Sequence, residues 1–164
     1  MQRLQGCNIG LDGVTEQQHN YQRSGFKRAY RNIRYQGVGV GSQLDDPNLD
    51  EPNVNTAKLV PLSELALDTL LASEQDYFPA ARHNFTQAWI EQPDSRALAL
   101  VHNNVVQGYG VIRRCHMGYK IGPLFADNAD GADTIFQALI APINPDQPVF
   151  LDVPEVNKHA MALA

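Results

Sequence analysis

The chain is short of cysteine and of long apolar runs, and each shortage excludes a class of protein. Two cysteines, Cys7 and Cys115, form no CxxC pair and are too few for a disulfide framework. They read as partly buried thiols of a reduced, cytosolic protein. No apolar run approaches the roughly 20 residues that span a bilayer, and the segment from Met1 to Cys7 lacks the apolar core of a signal peptide. No GxSxG or P-loop string occurs. The run Asp127 to Gly131 fails as a calcium loop, because Ala126 and Gln137 stand where carboxylates are needed. Cys115 and His116 have no second ligand pair to make a zinc site. A net charge of −5 argues against wholesale nucleic-acid binding. Arg23, Lys27, Arg28, Arg31 and Arg34 do crowd one early segment, and the run reads as a solvated face.

What is present is a globular composition, with 164 residues giving room for a real core. A short strand over Cys7 to Leu11 and a helix over Thr15 to Arg23 open the chain. Gly25 stops the helix, and alternation with aromatic content predicts a strand over Phe26 to Tyr35. Glycine, asparagine, aspartate and proline then dominate from Gln36 to Thr56, which is linker composition. Beyond it come a strand over Lys58 to Leu62, a helix capped by Ser63 with Leu65, Leu67, Leu70 and Leu71 on one face, and a second helix from Pro79 to Ile90. Trp89, Phe78 and Phe85 around that second helix read as core or lip residues. Three strands follow, Arg96–Val101, Val105–Arg113 and Tyr119–Phe125, with turns at Asn103-Asn104 and Met117-Gly118 predicting an antiparallel meander. A helix over Asp130 to Ile140, a buried strand Val149–Val153 and a final helix from Glu155 to Ala164 complete the order.

Three antiparallel strands followed by strand-helix-strand define an α/β (α+β) fold with a mixed, mainly antiparallel sheet flanked by helices. That order resembles the GNAT superfamily of acetyl-CoA-dependent N-acetyltransferases. The strings Gly118-Tyr119-Lys120-Ile121-Gly122-Pro123-Leu124-Phe125-Ala126-Asp127 and Phe150-Leu151-Asp152-Val153-Pro154-Glu155, with Asn157, are similar to the second GNAT-like domain of two-domain bacterial acetyltransferases. Gly10-Leu11-Asp12-Gly13, then Tyr21 and Ser24-Gly25-Phe26, are similar to the end of the domain before it. The resemblance implies residues 1–36 as the tail of a first GNAT-like domain, 37–56 as a linker, and 57–164 as a second domain that lacks its final strands.

It also implies a site. The strand Ile121 to Ala126 would splay from its neighbour and admit the pantetheine arm of acetyl-CoA, with Leu124, Phe125 and Ala126 facing it. Diverging strands leave N–H and C=O groups that a ligand amide can satisfy. The helix after that strand would aim its N-terminus at the pyrophosphate. The family's Gln/Arg-x-x-Gly-x-Gly/Ala loop is replaced by Asp127-Asn128-Ala129-Asp130-Gly131-Ala132-Asp133. There Gly131 and Ala132 remain as amides able to approach a phosphate, unless Asn128 or Asp130 merely caps the helix. Asn157 is a candidate for holding the arm, or for bonding local backbone. Tyr21 occupies the family's general-acid position before Gly-Phe, or simply packs on its helix; no residue stands out as base. His159 reads as a surface residue of the last helix. The acceptor would be a small-molecule or peptide amine, with neither nucleic acid nor membrane as partner. A non-catalytic, structural or ligand-sensing domain is the competing reading. Val149–Val153 would expose an unpaired edge, so the early β-α-β segment is expected to dock there, within one chain or by strand exchange in a homodimer. A linker of about 20 residues spans roughly 25 Å as a coil, which suffices.

Overall fold

The computed structural model describes residues 6, 8–42, 57–75, 77–78 and 80–164. The chain divides into two units, Met1–Arg31 and Asn32–Ala164. In the first unit a 3-10 turn, Thr15–Gln17, runs into helix α1, Gln18–Arg23. The helix closes where the amides of Ser24 and Phe26 reach back to the Tyr21 carbonyl, at 3.1 and 3.0 Å. The strand expected over Cys7 to Leu11 is absent from Asn8 to Leu11, and Cys7 lies outside the described residues. Ile9 and Leu11 are about half exposed. With no neighbouring strand among the described residues to pair with, alternation alone does not hold an extended segment.

The second unit is built on a six-stranded sheet in the order β1-β6-β5-β4-β3-β2. Its strands are β1 Asn32–Val38, β2 Lys58–Pro61, β3 Ser95–His102, β4 Val105–Arg114, β5 Tyr119–Ala126 and β6 Pro148–Pro154. Every neighbouring pair is antiparallel except β5 with β6, which makes the sheet mixed and mainly antiparallel. Helix α4, Ala129–Ile140, lies on one face. Its Ile135, Ala138, Leu139 and Ile140 pack on Leu98, Leu100, Ile112, Ile121, Val149, Leu151 and Val153, with Ala160 and Met161 of α5, Lys158–Leu163, at the margin. Helices α2, Leu67–Glu74, and α3, His83–Ile90, belong to the other face, where Leu62, Leu70, Ala99, Val106 and Tyr109 form a second core. Ser63 caps no α-helix; it sits inside a 3-10 turn, Leu62–Glu64, and α2 starts after Ala66. The second helix starts at His83, and Pro79, its expected first residue, lies outside the described residues.

The strand expected over Phe26 to Tyr35 is shifted toward the C-terminus. It begins at Asn32 because Ile33 and Tyr35 find apolar partners in Val153 and Leu151, and it continues to Val38 opposite Pro148. This strand covers the edge of β6 within one chain, as the exposed edge required. Residues 37–41 were expected to open the linker, but they are docked. The amides of Gly39, Val40 and Gly41 donate to the carbonyls of Gln147, Ile140 and Ile143 at 3.1, 3.4 and 2.7 Å. Gly39 has to be glycine, since a Cβ there would lie 2.2 Å from the Ile143 oxygen. Residues 43–56 of the expected linker lie outside the described residues.

Candidate active site

The β5–β6 seam begins as a regular parallel ladder and then stops. Tyr119 pairs with Val149, Lys120 with Phe150 and Ile121 with Leu151, and no later residue of β5 pairs with β6. The sequence supplies the cause. Ile112 lies opposite Ile121 but Gly110 lies opposite Leu124, so β5 carries one residue more than β4 over this stretch. That surplus is a β-bulge at Gly122-Pro123, and a bulge bends its strand away from the regular ladder. Gly122, at φ +157°, holds a backbone conformation that side-chain-bearing residues rarely adopt.

Beyond the bulge the direction of the backbone groups follows from one bond. The Asp127 amide donates to the Gln107 carbonyl at 2.9 Å. In an antiparallel pair alternate residues point their N–H and C=O groups toward the partner. Phe125 therefore directs its backbone toward Tyr109 on β4, while Leu124 and Ala126 direct theirs into the gap on the β6 side. An extended ligand with amides of its own fits such an edge.

Leu124 and Ala126 thus present backbone groups to the slot, whereas Phe125 turns its ring to the opposite face, among Tyr77, Phe78 and Tyr109. Gly131 lies buried in the first turn of α4, and its amide donates to the Asn128 side chain at 2.8 Å. The Ala132 amide bonds the Asn128 carbonyl at 3.1 Å. Asn128 is therefore a helix cap, and the amides of the helix start that it leaves over are those of Ala129 and Asp130. Asp127 is turned toward the Tyr77 hydroxyl, 3.4 Å away, and Asp133 accepts from Gln137 at 3.3 Å. Asn157 caps α5 by accepting the Ala160 amide at 3.0 Å. Tyr21 belongs to the first unit, and the other candidates belong to the second. Set against an acyl-coenzyme A donor, this geometry fits an extended arm at Leu124 and Ala126. It offers a phosphate two amides at the start of α4.

Sequence reasoning missed the polar node behind the slot. Glu74 ends α2 and is 3 % exposed. Its carboxyl group accepts from Thr86 Oγ1 at 2.6 Å and from the Tyr109 hydroxyl. Its carbonyl accepts the amides of Tyr77 and Phe78 at 3.0 and 2.8 Å. Burial first, and then the bond to Glu74, pushes the Tyr109 phenol far above its ordinary range, so it stays protonated at neutral pH. The node ties α2, α3 and β4 together and delivers Tyr77 and Phe78 onto Phe125. One signal was legible: Glu74 continues the spacing of Leu67, Leu70 and Leu71, a polar group on an apolar stripe.

The model of the GNAT acetyltransferase domain matches residues 71–164, from within α2 to the last residue. The chain belongs to the GNAT acetyltransferase family. This GNAT chain is 25 % identical over 150 residues to holothin acyltransferase of Pseudoalteromonas sp. strain SANK 73390. That match covers 92 % of the chain and 48 % of the relative, so the chain spans about half the length of the curated relative it matches. Two solved structures share the fold. A candidate acetyltransferase from Pyrococcus horikoshii superposes with a TM-score of 0.62 at 23 % identity, over 93 % of this chain and 46 % of that one. A functionally unknown conserved protein from Staphylococcus epidermidis gives 0.52 at 15 % identity, over 95 % and 63 %.

Proposed function

We propose that this GNAT chain binds acetyl-CoA in the β5–β6 slot and transfers its acetyl group to an amine. The observation that carries the reading is the end of β5–β6 pairing after Ile121 and Leu151, with the backbone of Leu124 and Ala126 left facing the gap. The donor, when bound, supplies an acyl group activated as a thioester. Leu124 and Ala126 bind and orient its arm as an added strand would. The amides of Ala129 and Asp130 meet its diphosphate end, assisted by the α4 dipole. Gly131 serves by bringing the helix start close under Ala126, whose Cβ lies 3.8 Å from the Gly131 Cβ position. The Leu124 N–H is aimed to stabilise the charge that develops on an acyl oxygen. The relative named holothin acyltransferase supports acyl transfer as the reaction, and holothin is an acceptor to assay rather than an assigned one.

A second reading, a donor-sensing domain without catalysis, is favoured by the Asn128 cap, which occupies the Gly131 amide. Calorimetric titration with acetyl-CoA, paired with thiol release in the presence of amines, separates the two. Saturable micromolar binding with amine-dependent thiol release supports the enzyme, and binding without release supports the sensor. Leu124→Pro removes the slot-facing N–H, while Leu124→Ala removes the same packing and keeps it. Binding lost in the first variant and retained in the second locates the donor; equal effects of the two place it elsewhere.

A further inference from the structure

The face of the sheet opposite α4 carries a continuous run of aromatic and guanidinium groups that the donor slot does not use. It starts at the slot: Phe125 of β5 meets the edge of Phe78, with centroids 5.6 Å apart. The Arg82 guanidinium carbon lies 3.5 Å from the Phe78 centroid and 4.4 Å from that of Phe85. Phe85 in turn sits 6.0 Å from Trp89, one helical turn along α3. Beyond it, the Arg113 guanidinium lies 5.3 Å from the Trp89 ring. Phe85 is 51 % exposed, a large apolar surface for a position inside a short helix.

Charge distinguishes this run from an ordinary core margin. Arg82 Nη1 and Arg113 Nε are buried donors with no acceptor, and no carboxylate among the described residues pairs with either side chain. Nearby Glu74 has both oxygens engaged by Thr86 and Tyr109. A guanidinium always carries its charge, and a buried donor left without a partner costs free energy. Two such groups along one aromatic strip keep donors without acceptors, and the charged group that the buried Glu74 sets near Arg82 is held by two neutral hydroxyls rather than by either guanidinium. Stacked rings favour a planar group, and the in-plane donors of a guanidinium match a carboxylate.

We propose that this strip selects the acceptor, which is a planar amine bearing a carboxylate, and that Arg82 is the specificity-determining residue. The amine end lies toward Phe125 and the slot, and the carboxylate end lies toward Arg82, with Arg113 beyond it. The inference rests on the acyl-transfer reading but makes a separate statement about which amine is held.

The test compares benzylamine with 4-(aminomethyl)benzoate, which present the same kind of amine with and without the anion. On the full chain with saturating acetyl-CoA, kcat/KM for the carboxylate-bearing amine is expected to exceed that for benzylamine at least tenfold. Arg82→Gln should reduce that ratio to below about threefold while leaving acetyl-CoA affinity unchanged. Arg82→Lys, which keeps the charge but loses the planar fork, should fall between. A ratio near one in the unaltered protein overturns the proposal, as does a ratio that Arg82→Gln leaves intact. If the chain releases no thiol with either amine, calorimetric binding of the two amines decides by the same ratio. A failure of transfer is then distinct from a failure of selection.

Discussion

Strand β6 has two flanks, and they are built to opposite ends. Against β1 it is paired along its whole length, from Pro148 to Pro154 opposite Val38 to Asn32. Against β5 it is paired only up to Leu151. The complete flank allows the incomplete one. A strand that leaves half of one ladder unpaired needs its place fixed from the other side. Here β1, the docked Gly39–Gly41 and the Arg34–Asp152–Lys120 bridges fix it.

The contrast can be broken from either side. Leu151 lies opposite both Ile121 and Tyr35 and is almost fully buried. Leu151→Ala should cost about 3 kcal/mol, as cavity-forming substitutions do, with the loss read from urea unfolding midpoints. Gly39→Ala should cost about 2 kcal/mol through overpacking against the Ile143 carbonyl. It should also raise amide exchange along β1 while leaving β3 and β4 protected. The smallest effect is electrostatic. Asp152 accepts Arg34 Nε and Nη2 at 2.7 and 2.9 Å and Lys120 Nζ at 2.5 Å. The bonds from Arg34 above all hold its carboxyl at about 2, below the usual range. A carboxyl group depressed on folding adds stability above its unfolded value and loses it as pH falls toward the folded one. The protein should therefore lose about 1 kcal/mol between pH 4 and pH 2 that Asp152→Asn does not lose. The figure is small because Arg34 is largely exposed and such pairs are screened. Thermal midpoints at the two pH values check it.

The same comparison marks how far the sequence could be read. The meander of β3 to β5, the α4 helix and β6 follow from apolar periodicity and clear turn residues, and they lie within a residue or two of expectation. The parting of β5 from β6 was expected from the family resemblance that the Ile121–Ala126 string carries. Its cause, the extra residue opposite Val111, is a pairing relation between two strands and invisible along one of them. Gly37-Val38-Gly39-Val40-Gly41 looked like linker because small residues signal flexibility and close approach alike. Only the neighbouring Ile143 carbonyl distinguishes the two. The aromatics of α3 were visible, but the missing acceptors of Arg82 Nη1 and Arg113 Nε are a property of their surroundings.

The most direct test of the slot is amide hydrogen exchange at three positions of β5. Ile121, Leu124 and Ala126 share one strand, and all three direct their amides to the β6 side. Ile121 should be protected in the free protein, whereas Leu124 and Ala126 should exchange at least a hundredfold faster and become protected when acetyl-CoA is added. Equal protection of all three in the free protein, unchanged by acetyl-CoA, would mean that the ladder is closed and that no slot exists.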